Sequence, residues 1–215
     1  MPPRLTEAGL AQAVIELTTV DRELAGIVER WGPPPMWGRP PGFASLTFIV
    51  LEQQVSLASA RAAFGRLVAA TGRLTPTAFL RLDARELLAI GFSRQKARYV
   101  RGIAAAILAG DLDLDGLDRL DDDAVREVLL ELTGIGPWTA DVYLLLVLGR
   151  PDIWPASDLA LVSAVQAVKG MPNRPTADEM YALAEPWRPW RAVAARLFWH
   201  DYLSRRGEHD TGVPV

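Results

Sequence analysis

The sequence predicts an all-α fold, and two observations carry that expectation. Apolar residues recur at helical spacing along the chain, and no stretch alternates as a half-buried strand would. Capping residues, glycines and prolines punctuate those stretches where helices start and stop. A chain of 215 residues is long enough for one or two compact units with a real core.

Glu7 to Leu17 and Asp21 to Trp31 read as amphipathic helices, with Asp21 as N-cap of the second. Gly32 to Gly42 is too rich in proline and glycine for a helix and reads as a loop. On it Trp37 is expected to pack and Arg39 to face solvent. Phe43 to Leu51 is apolar throughout and reads as a buried helix. It ends in Glu52-Gln53-Gln54-Val55-Ser56, where Ser56 starts a helix from Leu57 to Thr71. Thr75-Pro76 starts another through a capping threonine and a first-turn proline. Ala84 to Ala89 forms a short helix. Ser93 caps a long one from Arg94 to Ala109, which Gly110 stops. Asp158 to Val168, Thr176 to Glu185 and Arg191 to Ser204 complete the helices, and the tail beyond Arg206 is expected to fray.

The stretch from Leu132 to Ala140, Leu-Thr-Gly-Ile-Gly-Pro-Trp-Thr-Ala, lies between two helical patterns. Before it, Asp123 to Glu131 puts Ala124, Val125, Val128 and Leu129 on one face. After it, Thr139 to Leu148 is almost wholly apolar. Gly134 and Gly136 are expected to take positive φ, and Pro137 to fix a helix start. The result is a helix-hairpin-helix whose outward amides suit a phosphate oxygen. Further on, Trp154-Pro155-Ala156-Ser157-Asp158 is a proline-marked loop running into a helix. It puts Asp158 at the helix N-terminus, where the dipole favours a carboxylate.

Together the two stretches resemble the helix-hairpin-helix, Gly/Pro…Asp superfamily of DNA base-excision glycosylases, from about Phe43 to Tyr202. The most similar group is the 3-methyladenine DNA glycosylase II type. The resemblance implies two helical subdomains with a cleft between them. One is a central helical barrel over residues 43–155 carrying the hairpin (about 123–148). The other joins 1–42 to 156–215. It also implies a compact member without the β-rich domain that opens larger bacterial relatives.

By the same resemblance Asp158 is the catalytic carboxylate. Trp138 and Trp199 match positions lining the base pocket, and Tyr143 is a candidate beside Val142, where the family has a tyrosine. Leu159 stands where an aromatic can follow the aspartate. Gly134, Gly136, Thr139, Ser93 and Lys96 are the candidate DNA contacts. Gln53 and Gln54 fall where relatives insert a side chain into the gap left by a flipped base. Backbone carbonyls of Leu130, Leu132 and Ile135 match those that hold a monovalent cation, Na⁺ or K⁺, in relatives. Lyase-competent relatives carry a lysine at the position of Trp138, so a monofunctional enzyme is implied. It would hydrolyse the N-glycosidic bond of alkylated bases (3-methyladenine, 7-methylguanine) and leave an abasic site. Two alternatives stay open: a glycosylase for deaminated, oxidised or mismatched bases, and a noncatalytic DNA-binding protein.

Composition narrows the classes. The chain has no cysteine, so it has no disulfide and no cysteine-ligated iron–sulfur cluster such as the endonuclease III branch carries. No apolar run is long enough to span a bilayer, and the N-terminus lacks a signal-peptide core. A cytoplasmic, bacterial monomer needing no cofactor is expected, with damaged double-stranded DNA as partner. The net charge of −3 is low for that partner, but it is unevenly distributed. From Arg61 to Arg101 nine basic residues face two acidic ones, and seven aspartates follow between Asp111 and Asp123. One basic face on an otherwise acidic body is expected.

Overall fold

A computed structural model describes residues 2–207. Among them every regular element is helical: twelve α-helices and two short 3₁₀ turns. The tail from Glu208 onward, expected to fray, lies outside the described residues. No described helix is long and apolar enough to cross a membrane. The chain divides into two compact units, one of Arg39–Tyr143, the other of Pro3–Gly38 with the chain from Leu144 onward. The sequence reading put the division near residue 155; it falls instead between Tyr143 and Leu144.

The first unit is built around α3 (Phe43–Glu52), whose apolar sequence leaves almost no residue exposed. Phe48 packs on Phe64 of α4 (Leu57–Thr71) at 4.8 Å between ring centroids. Phe43 meets Phe79 of α5 (Pro76–Arg81) edge-on at 5.9 Å, and Phe79 meets Phe92 at 5.5 Å. Such pairs favour offset or edge geometry and add to the apolar burial. Short helices need good ends. Asp83 and Glu86 form a reciprocal capping box on α6 (Ala84–Ile90), and Ser93 caps α7 (Arg94–Ala109). Asp121 caps α8 (Asp122–Leu130), and Pro137 opens α9 (Pro137–Leu146), as expected. Arg39 corrects its expectation. Its side chain is 8% exposed and grips Glu52 through two bonds of 2.7 and 2.6 Å, lying over the Phe48 ring. A carboxylate buried at the end of α3 demands such a partner.

The second unit packs α1 (Glu7–Val20), α2 (Arg22–Trp31), α10 (Leu159–Val168), α11 (Ala177–Ala184) and α12 (Arg191–Arg205). Ala192 to Phe198 of α12 is buried without a break, and Trp154, Trp187 and Phe198 cluster there at 5.2 to 6.2 Å. Arg196 lies within that buried run, donating to the Trp37 and Leu145 carbonyls. Burial pushes its guanidinium down to about 10. Asp201 is as deeply buried and accepts from Trp31 Nε1 at 3.0 Å and Arg30 at 3.2 Å, tying α12 to α2.

Asp21 joins three elements of this unit. One carboxylate oxygen caps α2 through the Glu23 and Leu24 amides. The other accepts from Lys169, the C-cap of α10, at 2.7 Å and from Trp187 Nε1 at 2.9 Å. Burial alone would raise the Asp21 carboxyl, but these donors and the Lys169 charge outweigh it and hold it below 3.8. A carboxyl depressed by folding contributes stability that is present above its unfolded value and lost as pH falls through the folded one. Thermal unfolding followed from about pH 5 to about pH 2 should therefore show wild type losing more stability than Asp21→Asn, which has no group to titrate. Parallel curves would contradict this role.

Candidate functional site

The hairpin follows α8 directly. The Leu132 amide bonds to Leu129 O at 3.2 Å and the Ile135 amide to Leu132 O at 3.0 Å, which closes the turn. Ile135 is 6% exposed and anchors the turn in the core. Gly134 has φ +91. A Cβ there would also stand 2.2 Å from the Tyr99 ring, so both backbone and packing require glycine. Gly136 is different from expectation: its φ is not positive, and a Cβ there would meet nothing within 4 Å. Its carbonyl accepts from Ala140 at 3.1 Å, which makes it the N-cap of α9. Nothing inside the protein demands a glycine at this open place.

The remaining candidates of this unit separate into exposed and engaged groups. Ser93 caps α7 by accepting from the Lys96 amide at 3.1 Å. Lys96, expected at phosphate, instead donates to the Leu51 and Gln53 carbonyls at 2.7 Å each, and burial lowers its ammonium. Thr139, also expected at DNA, is 2% exposed, and its Oγ1 accepts from Gln53 Nε2 at 3.0 Å. Gln53 also donates to Gly134 O at 3.0 Å, so its amide faces the hairpin and not outward. Gln54 beside it is exposed. Tyr143 is 0% exposed and so offers no ring face to a base; burial pushes its phenol up to about 12. An apolar helix gives no sequence signal of which side turns inward. Trp138, in the first turn of α9, is half-buried.

Part of the basic segment is engaged by the protein's own backbone. Arg66 donates to Ile90 O at 2.8 Å and Arg101 to the Leu80 and Leu82 carbonyls. With Lys96, these cations serve carbonyls at the ends of α6, α5 and α3, where the helix dipole is negative. Arg73, Arg81, Arg85, Arg94 and Arg98 stay exposed.

In the second unit the loop before α10 is fixed by short bonds. The Ala156 amide reaches Trp154 O at 2.8 Å and the Asp158 amide reaches Pro155 O at 2.9 Å. Asp158 then caps α10: its Oδ1 accepts from the Leu161 amide at 2.7 Å. The same oxygen accepts from Trp199 Nε1 of α12 at 3.0 Å. Trp199 was expected only as a ring against the base, and its bond to Asp158 spans 41 positions with no local sequence signal. Asp158 is half-buried, and Leu159 beside it is 65% exposed.

Asp158 is thus a half-buried carboxylate fixed by a helix end and an indole N–H. The chain belongs to the HhH-GPD superfamily of base excision DNA repair proteins, whose family model matches residues 48–189. It is 30% identical over 182 residues to a DNA-3-methyladenine glycosylase of Bacillus subtilis, covering 75% of this chain and 57% of that protein. The chain thus spans little more than half the length of that relative. DNA-3-methyladenine glycosylase 1 of Schizosaccharomyces pombe is 29% identical over 199 residues, 88% of this chain and 86% of the other. The structure resembles that of the S. pombe 3-methyladenine DNA glycosylase in complex with abasic DNA. Here the TM-score is 0.81 at 27% identity, over 91% of this chain and 97% of the other.

The two hairpin glycines should respond differently to one added methyl. Gly134→Ala strains a positive φ and collides with Tyr99, and should cost about 1–3 kcal/mol. Gly136→Ala should leave the melting temperature near wild type. Thermal unfolding of both variants checks the pair, and equal losses would refute the distinction.

Proposed function

We propose that the protein is a monofunctional DNA glycosylase acting on alkylated bases in double-stranded DNA, as a monomer in the cytoplasm. The observation that carries this reading is Asp158 Oδ1 held by the Leu161 amide and Trp199 Nε1 in a chain of this family. Two donors on one oxygen fix the carboxylate before substrate arrives, which is the preorganisation that charge stabilisation requires.

In the reaction the damaged nucleotide first leaves the stack, because its glycosidic bond is out of reach inside a duplex. The C1′–N bond then breaks, and its electron pair departs with the base. An alkylated purine is already cationic, so it leaves neutral without prior protonation. The sugar left behind carries oxocarbenium charge, and Asp158 stabilises it electrostatically. Water attacks C1′ and forms the new C–O bond, while its proton passes to the Asp158 carboxylate and on to solvent. The hairpin amides at Gly136 hold a backbone phosphate, and Gln54 is the residue that fills the gap. The Leu130, Leu132 and Ile135 carbonyls suit a hard monovalent cation at the hairpin. Leu132 O already accepts one amide but retains a second lone pair.

Asp158→Asn should abolish excision of methylated purines while duplex affinity is kept or raised, because the charge acts in the transition state and repels phosphate in the ground state. Excision by this variant at the wild-type rate would remove Asp158 from the mechanism. The withdrawal of Tyr143 from the surface favours keeping one second reading, a pocket for neutral damaged bases. Hypoxanthine and mismatched duplexes assayed in parallel separate the two.

The monofunctional assignment follows from the lysines. The chain has two, Lys96 and Lys169. Lys96 is held by two carbonyls, and Lys169 by Asp21 at 2.7 Å and Glu23 at 3.2 Å. An imine at C1′ needs a neutral amine within bonding reach. Borohydride added during turnover should therefore trap no protein–DNA adduct, and strands should break only after alkali. A trapped adduct would overturn this assignment.

A further inference from the structure

The turn that follows α3 is fastened on two sides, both within the first unit. Gln53 Nε2 carries two protons and has two acceptors, the Gly134 carbonyl and Thr139 Oγ1, each at 3.0 Å. A carbonyl can only accept, so the amide nitrogen must face the hairpin. The Gln53 carbonyl in turn accepts from Lys96 Nζ at 2.7 Å. The same ammonium holds Leu51 O at 2.7 Å, so α7 grips the end of α3 at two points. The next residue, Gln54, has φ +57 and is the one non-glycine with positive φ among the described residues. A side chain rarely adopts that conformation, and it persists only where its surroundings over-determine it. Gln53 and Lys96 are those surroundings. Tyr99, three residues after Lys96 on α7, covers the face of Gly134, so the hairpin side of the latch is also held.

We propose that Gln53 is a positioning residue that locks the Gln54 turn in register with the hairpin. Docking of the hairpin amides on a duplex backbone then brings Gln54 to the base stack at a fixed offset. Both N–H groups of Gln53 are engaged inside the protein, so its effect on DNA passes through Gln54. Without the latch the hairpin still meets phosphate, but Gln54 relaxes out of its strained conformation and loses that offset. This inference rests on the glycosylase reading above.

A double-mutant cycle tests it, using Gln53→Met, Gln54→Ala and the pair. Single-turnover excision of a methylated purine is read beside affinity for an undamaged duplex. Gln53→Met should slow excision about tenfold and leave undamaged-duplex affinity within about twofold. It should add little in the Gln54→Ala background, because a latch with nothing to position has no further effect. Additive losses, or an equal fall in affinity for undamaged DNA, would overturn the latch. Thr139→Val removes one acceptor at constant shape and should act in the same direction by less. If Gln53→Met does not fold, normal excision by Thr139→Val overturns the proposal. A wild type that excises no tested base refutes the glycosylase reading itself, whereas an active wild type with additive variants refutes the latch alone.

Discussion

Amides at a helix N-terminus have no partner inside their helix, and both motif stretches of this chain are built on that constraint. At α10 the protein answers it with a side chain: Asp158 caps the Leu161 amide. At α9 the cap position is Gly136, which has no side chain to offer and no neighbour that would exclude one. The same backbone chemistry thus orients a carboxylate in one place and leaves room for an outside acceptor in the other. In the glycosylase reading, a carboxylate at Gly136 would repel phosphate, and a glycine at Asp158 would leave no charge for the sugar.

The local part of this arrangement was legible in the sequence. Caps act within three or four residues, so Asp21, Ser56, Thr75 and Ser93 could be read from their neighbours, and each caps its helix. Pro137 and Asp158 were legible for the same reason. The bonds that join distant parts of each unit were not. Trp199 to Asp158, Gln53 to Gly134 and Lys169 to Asp21 join residues 41, 81 and 148 positions apart. No periodicity reports such pairs. Tyr143 failed for a different reason: α9 is almost wholly apolar and its polar residues Thr139 and Asp141 are themselves buried, so no polar stripe reveals which face is covered.

Charge shows the same division between pattern and placement. Nine basic residues between Arg61 and Arg101 suggested a single surface for a polyanion. Three of them close helix C-termini instead, where backbone carbonyls already present negative potential. Arg73, Arg81, Arg85, Arg94 and Arg98 stay exposed, and Lys96 fastens the Gln53 turn. This explains how a chain of net charge −3 can devote part of its positive charge to its own backbone.

In the glycosylase reading, Trp199 links recognition to chemistry. Its N–H is committed to Asp158, so the ring cannot tilt toward a differently shaped base without disturbing the carboxylate. A tyrosine or a freely rotating ring could adapt; this indole is held by the same bond that orients the acid. With Tyr143 buried, one aromatic candidate is withdrawn from contact with a base. Discrimination then falls on the bond that breaks. A cationic base departs as a neutral leaving group, whereas a normal base needs a proton before it leaves. In the glycosylase reading, selectivity for alkylated bases therefore follows more from the weakness of their glycosidic bond than from a close-fitting pocket.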